Sequence, residues 1–263
     1  MTLHKITYLL YEQQRLRPSV RGERLLQQCA PLLLERGLEG LQINVHDEHV
    51  ITPPTAPRML GPKPFAAQVN LWLTAEQLQQ RNAYEAVLQE AGFVLQGWQA
   101  EEWLYTEYGE NEWEKARYWP DGARSPGVLA ITIIQRPRKI PKDEWMRRWF
   151  GWQSPMSEWL QPRSRYSRNL LGPALTAATP AYDAIVEEAW PSHEQVINKK
   201  NFFNAQTQGQ LIVNMMTMAK SVNRFLRMTH LTNVMASEYF IKTPAGLCRR
   251  MAWGDKSQQE KSI

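Results

Sequence analysis

Short stretches in which apolar and polar residues alternate recur along the chain, separated by longer stretches with helical spacing. HKITYLLY near the start puts its apolar side chains on one face, which predicts a β-strand. A helix follows through RGERLLQQCAPLLLERG, where Pro31 is expected to kink or restart it. LQINVHD, FAAQVNLWLT and LQGWQAEEWLYTEYG predict three more strands. Thr74 and Gln77 predict a capping box at the start of the helix between the last two.

The same order of elements, β-α-β-β-α-β, begins again after the Pro/Gly-rich stretch PDGARSPG. VLAITIIQR, RSRYSRNLL, YDAIVEEAW and NVMASEYFIK are the predicted strands of this second half. PKDEWMRRWFGWQSPMSEWLQ and the stretch around QLIVNMMTMAKSVNRFLRM are its predicted helices. We interpret the pattern as a tandem duplication of a ferredoxin-like domain. The predicted N-terminal domain covers residues 1–118, the C-terminal domain 126–243, and a flexible tail 244–263.

The first strand of the second half carries apolar residues on both faces, Ile131 and Ile133 on one and Ala130 and Ile134 on the other. An open sheet with such strands would leave an apolar face in water, which drives association. We therefore predict an α+β fold in which the two ferredoxin-like (βαββαβ) domains pack sheet to sheet as an intrachain α+β barrel. The space between sheet and helices in each half is then the place for a pocket.

The amino-acid composition limits the kinds of protein that this chain can be. Hydrophobic residues make up 43% and charged residues 22%, as in a soluble globular protein. The net charge of +5 is spread among interleaved acids, as in KDEWMRR, which disfavours nucleic acid as a partner. No apolar stretch is long enough to span a membrane, the N-terminus does not resemble a signal peptide, and only two cysteines are present. A cytoplasmic protein is expected.

The run His46-Asp47-Glu48-His49 was considered as a metal site. On a continuous strand the two histidines would face opposite sides, and no third ligand is in view. No metal is therefore predicted. No cofactor is predicted either, because the chain has no Gly-rich phosphate loop, serine elbow or reactive-cysteine context.

WFGWQSPMSEWLQPRSRYSRN, followed by PAYDAIVEEAWPS and ending in SEYFIKT, resembles an EthD-domain protein of the dimeric α+β barrel superfamily. The resemblance is most specific over residues 126–243 and implies a small apolar-lined pocket between sheet and helices. Relatives include proteins of ether degradation, polyketide cyclases and cofactor-free oxygenases, so the resemblance implies no single reaction. Many relatives have a histidine where this chain has Pro141-Lys142-Asp143. Chemistry that depends on that histidine is not expected here.

Candidate catalytic residues lie on the predicted strands of the second half. Glu187 and Glu188 are neighbours on a strand and must face opposite sides, so one of them is expected to be half-buried and able to act as a base. Arg165 could hold an oxyanion. His193, with Ser192 as helix N-cap, could carry a proton, and Tyr239 offers a phenolic donor.

Candidate substrate-binding residues are basic, aromatic, amide or methionine side chains near the same strands and helices. They are Arg163, Tyr166, Trp149, Trp152, Asn214 and Met218. Aromatic rings and guanidinium groups suit planar or anionic ligands, and methionine accommodates varied shapes. The alternative for the arginines is a position on an exposed sheet edge or pairing with Glu187 and Glu188, and the alternative for the other side chains is core packing.

These residues predict a cofactor-independent enzyme that acts on a small apolar, aromatic or polyketide-like metabolite. The reaction would be proton transfer, cyclisation or lyase-type chemistry, as in a lyase, isomerase, cyclase or cofactor-free oxygenase. The alternative is a non-catalytic metabolite-binding or assembly protein, and a third possibility is haem or flavin binding, which the wider superfamily includes. The expected partner is a small-molecule substrate, and the chain is expected to be a monomer or a homodimer.

Overall fold

In the computed structural model, which describes residues 2–177, 179–244 and 249–250, the order strand, helix, strand, strand, helix, strand occurs twice. The strands are β1 (His4–Glu12), β2 (Gly40–Val45), β3 (Ala67–Leu73), β4 (Phe93–Thr106), β5 (Val128–Ile134), β6 (Arg165–Ala174), β7 (Ala184–Trp190), β8 (Thr232–Lys242) and β9 (Arg249–Arg250). The α-helices are α1 (Pro18–Glu23), α2 (Ala30–Leu34), α3 (Ala75–Gln79), α4 (Asn82–Glu90), α5 (Lys142–Arg148), α6 (Ser154–Leu160), α7 (His193–Ile197), α8 (Lys199–Phe202) and α9 (Gln208–Val222). A 3₁₀ turn spans Met228–His230.

Strands β1 to β8 form one closed antiparallel barrel. Their order is β1-β3-β2-β8-β5-β7-β6-β4, and pairing of β1 with β4 closes it. The halves are joined by the ladder of β2 with β8, where Ile43 lies opposite Tyr239, and by that of β4 with β6, where Glu102 lies opposite Asn169. β9 adds a parallel pairing with β4.

The prediction of two tandem ferredoxin-like domains packed sheet to sheet is therefore wrong. The outer strands of the two halves hydrogen-bond to each other instead of leaving two separate sheets face to face. Closure satisfies backbone groups that free sheet edges would expose. The 14-residue β4 makes this possible because it is long enough to pair with both β1 and β6. Division of the chain into domains 1–118 and 126–243 stays a prediction, and most of the predicted tail 244–263 lies outside the described residues.

Alternation along the strands separates a helix-facing side from a lumen side. On β1, Ile6, Tyr8 and Leu10 pack into the core beneath α2 and α4. Lys5 and Leu9 belong to the opposite side, which faces the lumen. A barrel of about eight strands has an interior that side chains can fill, and here those side chains are largely buried.

The first helical stretch of each half is interrupted by a π segment. These are the first π segment, Arg24–Cys29, and the second π segment, Trp149–Gln153. Each ends with an i→i−5 backbone hydrogen bond, from the Ala30 N–H to the Leu25 carbonyl and from the Ser154 N–H to the Trp149 carbonyl.

In each half, the second residue after the π segment is a proline: Pro31 in the first half and Pro155 in the second. Proline has no N–H to donate and its ring crowds the carbonyl four residues back, so the wider turn relieves the conflict. The prediction that Pro31 restarts the helix is confirmed. The predicted Thr74–Gln77 capping box and the Ser192 N-cap of α7 are confirmed as well.

Candidate functional site

The barrel lumen contains two of the predicted catalytic residues, Arg165 and Glu187. Arg165 Nη1 lies 3.4 Å from Glu187 Oε2, and Lys5 Nζ lies 2.8 Å from Glu102 Oε1 and 3.6 Å from Glu187 Oε1. The side chains of Arg165 and Glu187 are 3% and 0% exposed. They are therefore buried inside the closed barrel, and neither side chain is open to solvent.

Amide side chains complete the lumen network. Glu187 Oε1 accepts hydrogen bonds from Gln68 Nε2 at 2.9 Å, Asn70 Nδ2 at 2.9 Å and Asn169 Nδ2 at 3.1 Å. These donors come from β3 in the first half and β6 in the second, so the carboxylate ties the two halves together. A buried charged group needs several hydrogen-bond donors, because they compensate for the hydration that it loses on burial.

Two further carboxylates of the lumen have shifted pKa values in opposite directions. Burial raises the pKa of Glu238, which accepts hydrogen bonds from Tyr108 Oη at 2.6 Å and Gln42 Nε2 at 2.9 Å. Burial also opposes ionisation of Glu102, but the charges of Lys5 and Arg165 outweigh it and lower that pKa. The lumen thus favours a charged Glu102 and a Glu238 that holds its proton more firmly.

Glu188 lies on the outer side of β7, opposite in direction to Glu187, as strand alternation predicts. Its Oε1 is 2.5 Å from Arg163 Nη1, and the Arg163 guanidinium stacks over Tyr166 at 4.0 Å. Tyr166 Oη accepts a hydrogen bond from Trp149 Nε1 at 2.9 Å. These four predicted residues therefore pack against one another between sheet and helices.

The remaining second-half candidates differ in exposure. Asn214 donates to the Phe203 carbonyl at 2.8 Å, and Met218 Sδ accepts from Gln153 Nε2 at 3.2 Å, so both have roles in packing. Trp152 is 59% exposed and lines an open cavity of about 270 Å³. We call this the second cavity.

Tyr239 lines an open cavity of about 350 Å³ in the first half, which we call the first cavity. Its lining consists of residues from α1, the first π segment, the segment after β2, and β8: Ser19, Gly22, Glu23, Leu26, Gln27, Asp47, Glu48, His49 and Tyr239. The cavity lies between the helices and the sheet. That is the position predicted from the sequence for a pocket.

Asp47 organises the floor of the first cavity. The carboxylate is 2% exposed and accepts hydrogen bonds from Tyr239 Oη at 2.8 Å, Ser237 Oγ at 2.7 Å and the His49 backbone N–H at 3.1 Å. Burial, followed by the hydrogen bond to Asp47 and its charge, raises the pKa of Tyr239. The phenol is therefore held in its neutral form at a fixed position in the cavity that His49 also lines.

His193 lies at the same edge of the barrel. Its Nδ1 is hydrogen-bonded to Thr52 Oγ1, and it also makes a hydrogen bond with the backbone of His49. Burial and the charge of Arg124 lower the pKa of His193, and the same arginine acts against the raised pKa of Tyr239. Two predicted catalytic residues, His193 and Tyr239, thus share a neighbourhood, whereas Arg165, Glu187 and Glu188 lie elsewhere.

Sequence reasoning did not place Asp47 and His49 in a cavity with Tyr239. The run HDEH was considered only for metal binding, on the assumption of a continuous strand. β2 in fact ends at Val45, and the residues after it turn away from the ladder. Within the described part of the chain, no cluster of three His, Cys, Asp or Glu side chains could hold a metal ion.

Comparisons with known proteins bear on the fold. No family model matches the chain, and no curated protein does. The crystal structure of an anthrone oxidase-like protein matches with a TM-score of 0.56 and 11% identity, over 95% of this chain and 96% of that one. A crystal structure named "putative monooxygenase" from Lactobacillus acidophilus NCFM matches with a TM-score of 0.41 and 7% identity, over 92% of this chain and 95% of that one.

At 11% identity the first match shows the fold alone, and the second is too distant to carry weight. None of the helices in the described ranges is both long and apolar enough to cross a bilayer.

Proposed function

We propose that the protein is a cofactor-independent enzyme that transfers a proton on a small metabolite bound in the first cavity. The observation that carries the proposal is the Tyr239 hydroxyl, 2.8 Å from the buried Asp47 carboxylate, in an open cavity also lined by His49. A fixed phenol and an accessible imidazole in one cavity are the two partners that acid–base catalysis needs.

Each residue has a separate role. The His49 imidazole removes a proton from the carbon next to a carbonyl group. The Tyr239 oxygen stays in place, and its hydroxyl hydrogen rotates from Asp47 towards the substrate oxygen that gains charge. Asp47 holds Tyr239 and the His49 backbone in position, and Arg124 favours negative charge nearby. The proton returns from His49 to the substrate or to water.

The lining of the first cavity indicates the substrate class. Leu26 offers an apolar contact, while most other lining side chains are polar. An enolisable carbonyl compound or a phenol fits both features, which is consistent with a polyketide-like or aromatic metabolite. Proton transfer of this kind serves isomerases, cyclases and lyases alike. Assignment to the EthD family also stays a proposal, since it rests on the sequence resemblance.

In this proposal the other predicted catalytic residues have supporting roles. Arg165 and Glu187 hold the barrel together from inside, and Glu188 pairs with Arg163 on its outer side. His193 fixes the segment that carries His49 through the hydrogen bond to its backbone.

The test is hydrogen–deuterium exchange at carbon, measured by ¹H NMR in D₂O with ethyl acetoacetate and phenylacetone as probes. We expect the protein to accelerate exchange, and His49→Gln and Tyr239→Phe to reduce this acceleration by about 10²–10⁴-fold, the usual contribution of a general acid or base. His4→Gln, on β1 and outside the lining of the first cavity, is the matched control and should exchange as the wild type does.

Full exchange activity in both cavity variants would refute the assignment of these residues. Saturable binding of the probes to the wild type without any exchange would instead support the non-catalytic alternative, a metabolite-binding protein.

A further inference from the structure

The second cavity combines an exposed tryptophan with two arginines, a combination that the proton-transfer proposal does not use. It is lined by Arg148, Trp152, Ser221 and Arg224 and has a volume of about 270 Å³. We propose that it is a separate binding site for a small aromatic carboxylate.

The exposure of Trp152 is a consequence of the second π segment. Helical spacing would place Trp145, Trp149 and Trp152 on one face, since they are four and then three residues apart. Trp145 and Trp149 are each 1% exposed, yet Trp152 is 59% exposed. The wide π turn moves Trp152 off the buried face and brings Gln153, 6% exposed, onto it.

The inward position of Gln153 is secured by specific contacts. Its amide donates to Met218 Sδ at 3.2 Å and its carbonyl accepts from Ser221 Oγ. A buried polar side chain thus occupies a position that the large apolar Trp152 could fill by packing. A Cβ added to the neighbouring Gly151 would meet no heavy atom within 4 Å outside its chain neighbours, so open space adjoins the backbone at that position. π segments with such local costs are frequent at functional sites.

The arginines supply a fixed positive charge beside the indole. Arg148 Nε lies 2.6 Å from Glu144 Oε1, and its Nη1 donates to the Arg224 carbonyl at 2.8 Å, which holds the guanidinium in place. Glu144 also pairs with Arg147, so one carboxylate serves two arginines. Arg224 adds a further, exposed cation. Positive charge therefore exceeds negative charge around this cavity.

The ligand class follows from this chemistry. An indole face binds a flat ring by stacking, and guanidinium groups bind a carboxylate through paired hydrogen bonds. The volume suits a molecule with one or two rings, since pockets for drug-sized ligands start at about 300 Å³. A neutral or non-aromatic molecule would lose one of the two contacts.

Salicylate binding followed by isothermal titration calorimetry tests the proposal, with salicylamide and cyclohexanecarboxylate as analogues that lack the charge or the aromatic ring. We expect saturable salicylate binding, at least tenfold weaker binding of both analogues, and weaker salicylate binding at high salt because the arginines are partly exposed. Trp152→Leu and Arg224→Met should each weaken salicylate binding at least tenfold.

Trp159→Leu is the matched control, because Trp159 is 79% exposed on α6 but does not line the cavity. This variant and Tyr239→Phe should bind salicylate as the wild type does, which separates the site from the first cavity. No binding at millimolar salicylate, equal binding of salicylamide, or unchanged affinity in Trp152→Leu would each overturn the proposal. A change of sedimentation coefficient in both tryptophan variants would also overturn it, in favour of a protein-docking surface.

Discussion

The first and second cavities adjoin π segments at matching places in the two halves, yet their linings carry opposite chemistry. Leu26 and Gln27 of the first π segment line one cavity, and Trp152 of the second π segment lines the other. The first cavity contains three acidic residues, a histidine and a tyrosine. The second contains two arginines and a tryptophan.

This difference shows that the same backbone feature, a π segment followed by a proline, can adjoin two chemically different cavities. In both halves a proline two residues after the π segment is accompanied by a widened helical turn. The wider turn opens space between the helices and the sheet. The side chains on the neighbouring elements then decide what the space can do. At the first cavity the acid–base residues come from the segment after β2 and from β8. At the second cavity the cations come from α5 and from the segment just after α9. A fold therefore supplies sites without fixing their function.

The largest expected effect concerns what the two halves share, the charged lumen. Arg165→Met leaves Glu187 and Glu102 with less compensating charge in a closed interior. We expect a loss of about 3–5 kcal/mol in the free energy of unfolding, the usual cost of breaking a buried ion pair. Urea unfolding should show one common transition, whether it is monitored by loss of salicylate binding or by circular dichroism of the whole protein.

Arg163→Met is the comparison for this prediction, because its partner Glu188 is 20% exposed and can be rehydrated. A smaller loss is expected there. Separate unfolding of the two halves in Arg165→Met would contradict the view that the lumen joins them.

An effect of intermediate size is expected when the proline after either π segment is replaced, and it tests whether the two cavities are independent. Pro155→Ala restores an N–H that can donate four residues back, so the second π segment can revert to α-helix and turn Trp152 inward. We expect about tenfold weaker salicylate binding, equivalent to about 1.4 kcal/mol, with unchanged carbon exchange. Pro31→Ala should do the reverse, lowering exchange and sparing salicylate binding. If either variant impaired both activities equally, the cavities would not be independent.

The smallest effect is a pH dependence of stability from Glu238, whose hydrogen bond with Gln42 crosses from β8 to β2. Its pKa is raised above the ordinary value of 4.5, so the folded state binds more protons than the unfolded state above that pH. Stability therefore falls as the pH rises from 4.5 through the folded pKa.

Gln does not titrate, so the stability of the wild type should fall relative to that of Glu238→Gln by up to about 1.4 kcal/mol per pH unit over that window. Thermal unfolding between pH 4.5 and 8 measures it. A difference that stayed constant with pH would mean that Glu238 is ionised in the folded protein.

Much of the fold was readable from local patterns. Period-two alternation predicted the strands, Thr74 and Ser192 predicted helix starts, and Pro31 predicted a helix restart, because each depends on neighbouring residues only. Alternation also predicted that the side chains of Glu187 and Glu188 face opposite sides of the strand. Closure of the barrel did not follow, because it depends on the pairing of β2 with β8 and of β4 with β6, strands that lie far apart in the chain. Alternation is the same whether or not those edges pair.

The candidate site was less predictable. Tyr239 and His193 were proposed from residue type, but their proximity to Asp47 and His49 depends on β2 pairing with β8 across the two halves. Arg165 looked equally suitable, yet closure places it in the lumen. The exposure of Trp152 depends on the register shift of a π segment, for which Pro155 was an unused signal.

Sequence by itself determined the elements, their order and their buried faces, since these follow from short-range periodicity and turn chemistry. Only the tertiary structure decided that eight strands close into one barrel, which charges lie inside it, and which polar side chains meet in an open cavity. Those outcomes come from long-range pairing and from the burial it imposes, and burial is what turns a charged or phenolic side chain into a structural tie or a possible reactive group.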